Sequence, residues 1–248
     1  MERQEIRLEE GRFVLGDKPF FLYCGEVHYF RIPRRDWKDR LRKAKATGLN
    51  TIGSYIPWCW HEFKEGSFDF NGKTHPERDL LGFVKLLEEF SLYFFARVGP
   101  ISNAELVHEG LPDWLLQDHP EIYSEGKGLS DLPHVTLVSY HNPTFQEYVE
   151  KWYEKILPII ARYEVSRGGN IILLQLCNEI GMVHWVNKIA DYSPTATKLY
   201  QDFLRKNYHE ISRLNRNYGT DYLDFSQIEQ PDGRADSGWK PIFWDWAN

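Results

Sequence analysis

Four times before residue 181 the chain runs through an apolar segment of strand length and closes it with polar or sterically unusual side chains. The closures read GEVH from Gly25, YIPWCWHE from Tyr55, RVGPISNAE from Arg97, and Asn178-Glu179 after IILLQLC. Amphipathic helical stretches separate the runs. One spans 36–48, with Asp36 as its cap and Gly48 just past its end. Another spans 79–90, and a third spans 143–163, with apolar residues near Phe145, Val149, Trp152, Ile156 and Ile159. A fourth is entered through Ser193-Pro194 and closed at Gly219. Strands alternating with helices predict a parallel sheet. Chemistry gathered at the carboxyl ends of successive strands is the arrangement of a (β/α)8 TIM barrel. A doubly wound sheet would place its site at one switch point beside a Gly-rich turn. Neither G-x-G-x-x-G nor a P-loop occurs, so the α/β reading is the barrel type.

The rest of the chain fits around that frame. Residues 1–19 read as an N-terminal hairpin about Gly11, with 20–30 a first buried strand, and 219–248 as an irregular aromatic tail. The residues after Gly181 hold one long helix and the tail, whereas a strand–helix unit takes about 30 residues or more. Four further units do not fit. The expectation is one barrel-type domain over 1–248, represented by roughly its first four strand–helix units. Such a half-barrel leaves strand edges open, so it predicts a fragment of a longer enzyme, or pairing with a second copy or a separate second half.

Composition narrows the function. A formal charge of −6 and no basic stripe argue against nucleic acid; the densest basic run, 34–45, is the solvated face of a helix. No apolar run is long enough to cross a bilayer, so no membrane partner is expected. The N-terminal MERQEIRLEEGR lacks the apolar core of a signal peptide. Cys24, Cys59 and Cys177 follow no disulfide or zinc spacing, which suits a soluble cytoplasmic protein with small buried thiols. Nine Trp among 15% aromatic residues suit sugar rings as well as a core. A carboxylate closing an apolar strand is costly unless something uses it. Asn178-Glu179 is therefore either a helix-opening pair or a functional one.

The motifs GEVHYFRIPRRDWKDRLRKAKATGLNTIGSYIPWCWHEFKEGSFDFNG, GPISNAELVHEGLPDWLL and LLQLCNEIG resemble, in order, glycoside hydrolase family 35, mostly β-galactosidases. The stretch ISRLNRNYGTDYLDFSQI is similar instead to family 42 of the same clan A. The resemblance implies a retaining glycoside hydrolase acting on terminal β-galactosides or related oligosaccharides, with no metal and no cofactor. It makes Glu179 the general acid/base, protonating the glycosidic oxygen and later deprotonating water. Asn178 would bind the sugar's 2-hydroxyl, Asn103 and Glu105 ring hydroxyls, and Tyr55 would lie near the anomeric centre. Trp58 is a stacking face or core, and Arg97 orders nearby carboxylates or forms a structural ion pair. His28 is a scaffold or rim residue.

Departures from the family pattern are Cys177 for Glu, Ile101 for Tyr, Leu106 for Trp and Cys59 for Asn. They bear on the identity of the sugar. The clan's nucleophile is a Glu ending the seventh strand. Glu229, Asp236 and Asp245 are the late acidic residues, and none ends an apolar strand, so the nucleophile is not expected within the chain. A catalytically silent carbohydrate-binding or assembly half-barrel is the alternative.

Overall fold

The computed structural model describes residues 3–125, 138–180, 190–231, 241, 242 and 245. The chain forms two compact units, Met1–Asp118 with Tyr148–Ile180, and His119–Glu147 with Gly181–Asn248. The first opens with strands β1 (Ile6–Glu9), β2 (Arg12–Leu15) and β3 (Lys18–Phe20) in an antiparallel sheet. Glu10 and Gly11 between β1 and β2 have φ of 47° and 76°. Positive φ at both central residues is the turn whose twist matches the flanking strands. Leu15 is buried in one cluster with Val165 and Ile172, and Ile6, Phe20, Tyr93 and Leu173 pack against it. The small sheet therefore sits under the starts of two barrel strands.

Those belong to a four-stranded parallel sheet of β4 (Cys24–Glu26), β5 (Thr51–Tyr55), β8 (Tyr93–Arg97) and β9 (Ile171–Gln175), in the order β4-β5-β8-β9. Between β5 and β8 lie a short helix α2 (Trp58–His61) and a ribbon of β6 (Glu62–Lys64) and β7 (Ser67–Phe68). Helices α1 (Trp37–Ala46) and α3 (Leu80–Glu89) make the crossovers, α4 (Asp113–Asp118) lies in the connection after β8, and α5 (Pro143–Tyr163) leads to β9. Successive neighbours joined by helices form the wall of a (β/α)-barrel.

The register sorts the side chains. Glu26, Gly53 and Phe95 lie side by side, as do Tyr55, Arg97 and Gln175. Side chains alternate across a strand, so these line the inner face, while Ile52, Phe94 and Ala96 point outward and are fully buried. Trp37 and Leu41 of α1 and Leu80, Phe83, Val84 and Leu87 of α3 are buried with them. Asp79 caps α3, accepting from Gly82 N at 2.9 Å. Asp36 makes no such bond, because Arg34–Asp36 is itself a 3₁₀ turn.

Two elements depart from expectation. The run 20–30 does not form one strand: only Cys24–Glu26 pairs in the barrel sheet, and Tyr29–Arg31 is a 3₁₀ turn. Tyr29 is fully buried there, its hydroxyl 2.5 Å from His61 Nε2, while its carbonyl accepts from Trp37 Nε1 at 3.1 Å. In the second unit the expected single helix is two, Pro194–Tyr208 and Ile211–Tyr218, broken at His209 with φ of 63°. Ser193 Oγ accepts from Ala196 N at the first helix start, and Gly219 closes the second at φ of 70°. Tyr200, Leu204, Leu214, Phe225 and Ile228 are that unit's core.

Candidate active site

At the carboxyl end of β9 the chain leaves the sheet, and Asn178 follows three residues on. Its backbone N–H donates to Ile101 O at 3.0 Å, tying the end of β9 to the segment after β8. The Asn178 side chain is buried and held on both ends. Its oxygen accepts from Arg97 Nη2 at 2.7 Å and Gln175 Nε2 at 3.2 Å. Its nitrogen donates to Ser102 O at 3.0 Å and Glu179 Oε2 at 3.3 Å. Its oxygen and both N–H groups are thus engaged within the protein.

Glu179 takes a second donor on the same oxygen, Asn103 Nδ2 at 2.9 Å. Both residues sit in left-handed backbone, with φ of 51° at Glu179 and 52° at Asn103. That conformation costs a non-glycine residue about 1–2 kcal/mol and is the kind of strain that functional sites store.

Arg97 is the hub. Besides Asn178 it donates to Gln175 Oε1 and Glu26 Oε1, and its guanidinium lies 3.8 Å from the Tyr55 ring centre. Gly53 of β5 lies beside Glu26: a Cβ there would meet Glu26 Cγ at 3.5 Å, an ordinary contact. Glu26 Oε2 is 3.4 Å from His28 Nε2. Burial raises the Tyr55 hydroxyl pKa, Arg97 opposes, and the carboxylates of Glu26, Glu179 and Glu105 add to the rise. Three carboxylates and a guanidinium thus act on one phenol. Burial lowers His28, with Glu26 opposing.

Of the sequence-derived candidates, Tyr55, Arg97, Asn103, Asn178 and Glu179 come together. Glu105 follows Asn103 on the same turn, its carboxylate 93% exposed and 4.0 Å from Arg31. Trp58 is 0% exposed, its ring stacked on Trp152 at 6.0 Å and its Nε1 donating to Glu62 Oε2 at 2.6 Å. It has no open face, which leaves the core reading of this residue. Glu229 is exposed in the second unit, and Asp245 accepts from the hydroxyls of Tyr208 and Tyr218 at 2.5 and 2.6 Å. Asp236 lies outside the described residues. Sequence reasoning missed Glu26 and Gln175 as members of the cluster. The signal was present, since each is the polar residue that ends its strand.

Among the described residues no three His, Cys, Asp or Glu side chains gather in metal-holding geometry. No described helix is long and apolar enough to cross a membrane.

A carboxyl group held by two side-chain amides thus stands at the carboxyl-terminal side of a parallel sheet, where the sites of (β/α)-barrels gather. The model for "Glycosyl hydrolases family 35" matches residues 12–221, and the chain belongs to that family. It is 42% identical over 228 residues to a β-1,2-glucosyltransferase of Ignavibacterium album, covering 91% of this chain and 31% of that protein. It is 38% identical over 243 residues to an exo-β-D-glucosaminidase of Pyrococcus horikoshii, covering 95% and 31%. To the human β-galactosidase-1-like protein 2 it is 37% identical over 190 residues, covering 77% and 26%. A β-galactosidase structure from the psychrophilic Marinomonas ef1 superposes with a TM-score of 0.61 at 17% identity, covering 84% and 30%, a likeness of fold. The chain spans about a third of the length of the curated relatives it matches.

Proposed function

We propose that this chain carries the acid/base side of a retaining glycoside hydrolase site, with Glu179 as general acid/base and terminal β-galactosides as substrates. One observation carries the reading: the side-chain amides of Asn103 and Asn178 both donate to Glu179 Oε2, and Arg97 fixes the second of them. Held on one oxygen, the carboxyl can present the other to a glycosidic oxygen. For Asn178 to serve a 2-hydroxyl, whose contact strengthens in the oxocarbenium-like transition state, one of its two N–H groups leaves its present acceptor, the longer bond being that to Glu179 Oε2 at 3.3 Å. Tyr55, Asn103 and Glu105 line the sugar subsite, and Arg97 supports it. The likeness of residues 211–228 to family 42 belongs to the same reading. The nucleophile comes from outside this chain.

A specific observation bears on the sugar. Relatives of high coverage include a glucosyltransferase and a glucosaminidase, so a gluco-configured glycone is the second reading. Among the described residues the outer sides of β4 and β9 pair with no further strand, save one isolated bridge, which supports a second body beside the sheet, another copy of this chain or the remainder of a longer barrel. Cys24, Cys59 and Cys177 form no disulfide, which supports a reducing, cytoplasmic setting.

The test is hydrolysis of aryl β-D-galactoside, β-D-glucoside and β-D-glucosaminide by the 248-residue chain beside Glu179→Gln. Expected is release from the 2-hydroxy glycosides that disappears in the variant, either from the chain or after adding its missing half. Release from the glucosaminide first, or release that survives Glu179→Gln, overturns the reading.

A further inference from the structure

The turn that presents Asn103 is held by a residue outside the cluster described above. Asn103, Ala104 and Glu105 have successive φ of 52°, 53° and 50°. Three left-handed non-glycine residues in a row cost several kcal/mol in all, at about 1–2 kcal/mol each. Such a segment persists only when its surroundings over-determine it. Its flanks are tied by backbone: Ser102 N and Asn103 N both donate to Glu109 O, at 2.9 and 3.0 Å, and Leu106 N donates to Asn103 O at 2.9 Å. Its middle is gripped by a side chain. Arg31 follows β4 in the 3₁₀ turn Tyr29–Arg31, and its Nη2 donates to the Ala104 carbonyl. Its Nη1 is 4.0 Å from Glu105 Oε2, and its guanidinium lies 5.3 Å from the Phe30 ring centre. Phe30 is itself buried, so the base of the arginine is fixed.

What the turn delivers is the direction of one side chain. Asn103 Nδ2 points to Glu179 Oε2 at 2.9 Å and to Asn178 O at 3.4 Å. The geometry points to Arg31 as a positioning residue for the acid/base: by holding the Ala104 carbonyl it keeps the turn left-handed and the Asn103 amide on Glu179. The consequence rests on the role of Glu179 proposed above. Asn103 and Asn178 both donate to Oε2, so the transferable proton rides on Oε1. Without Arg31 the turn relaxes, Asn103 swings away, and the carboxyl loses the donor that fixes which oxygen faces the leaving group. Arg31 touches no reacting atom.

The experiment has a part that needs no turnover. The Asn103 side-chain amide is followed by ¹⁵N NMR in a double-variant cycle of the 248-residue chain. Replacing Glu179 by Ala shifts that signal while Arg31 is present, and no longer shifts it in the Arg31→Met background. A signal that still responds to Glu179→Ala in Arg31→Met overturns the inference. If Arg31→Met fails to fold, Arg31→Leu, which likewise removes the donor, carries the same cycle with the same two outcomes.

The kinetic part uses aryl glycosides of graded leaving group, with the barrel completed if the chain alone is silent. Arg31→Met lowers kcat about tenfold where protonation is needed, a fraction of the usual acid/base contribution. It lowers kcat less than about twofold with a dinitrophenyl glycoside, and Arg31→Lys recovers part of the loss. Equal losses on both substrates also overturn it. Failure of the underlying reading looks different: Glu179→Ala itself then shows no dependence on leaving group, while the NMR cycle still reports on Arg31.

Discussion

Arg97 makes three side-chain hydrogen bonds and lies over an aromatic ring, and that geometry belongs to a planar guanidinium alone. It fixes the rotation of the Asn178 amide, so under the proposed function its loss should be read at the sugar's 2-position. Arg97→Met is expected to lower kcat/KM by about 100-fold on a 2-hydroxy glycoside, from one charged hydrogen bond's worth of ordering. On the 2-deoxy glycoside the loss should nearly vanish, and steady-state kinetics on the pair checks it. His61 makes a different prediction. It is fully buried, between the Tyr29 hydroxyl and the Asp69 carbonyl, each 2.5 Å away. Burial lowers its pKa to about 4, whereas in the unfolded chain it titrates at about 6.5. Between these values the unfolded state binds the extra proton, so folding stability falls as pH drops from about 6.5 to 4, by up to about 3 kcal/mol. Denaturant midpoints across that range should lose much of their slope in His61→Gln. At this scale the sequence was informative wherever a polar residue ended an apolar strand. Arg31 was illegible, because nothing in HYFRIP says that its guanidinium will meet a carbonyl 73 residues further on.

Strands and helices were legible where one periodicity ran unbroken, as in α3 and β5. Legibility failed where a tertiary contact overrode a local pattern. Phe20 to Phe30 is apolar enough for a long strand, yet Tyr29 gains more by reaching His61 in the core than by extending the sheet. The long helix expected after Ser193 is cut at His209, where Leu204 and Leu214 pack into the same small core from two helices. Glycines mark the junctions, with unequal weight. A Cβ on Gly169, in the connection from α5 to β9, would sit 1.9 Å from the Tyr163 carbonyl oxygen, a backbone atom that cannot turn aside. On Gly53 it would meet Cys24 Sγ and Glu26 Cγ at 3.5 Å, ordinary contact. Gly169→Ala is therefore expected to cost about 3 kcal/mol or more, lowering Tm by roughly 6–12 °C for a chain of this size. Gly53→Ala should leave Tm nearly unchanged. Calorimetry on the two variants separates a junction that carries the fold from a position with room for a methyl group.

At the scale of the molecule, what stands out is where the barrel wall stops. The sheet order β4-β5-β8-β9 leaves one side of β4 and one side of β9 without a strand partner among the described residues, save an isolated bridge from Glu164 to Ile171. Open edges of a parallel sheet are a template for further strands, and parallel sheets are rarely left uncovered. The apolar residues around β9 agree: Leu174 is 41% exposed and Leu176 49%, on the strand that carries the chain into Asn178-Glu179. Scattered exposed leucines need no explanation, but two at one open edge, beside the site, mark a surface that gains from burial. If a second body covers this edge, sedimentation velocity on the chain should show concentration-dependent association. Glu at both 174 and 176 should shift it toward monomer, without a matching fall in Tm, because neither side chain contributes to the buried core. A chain that stays monomeric and stable at every concentration would mean the edge is tolerated bare, and that only the rest of a longer barrel could complete the wall. Under the proposed function, supplying such a second half would then give hydrolysis with the wild type and not with Glu179→Gln, which would tie the open edge to the chemistry beside it.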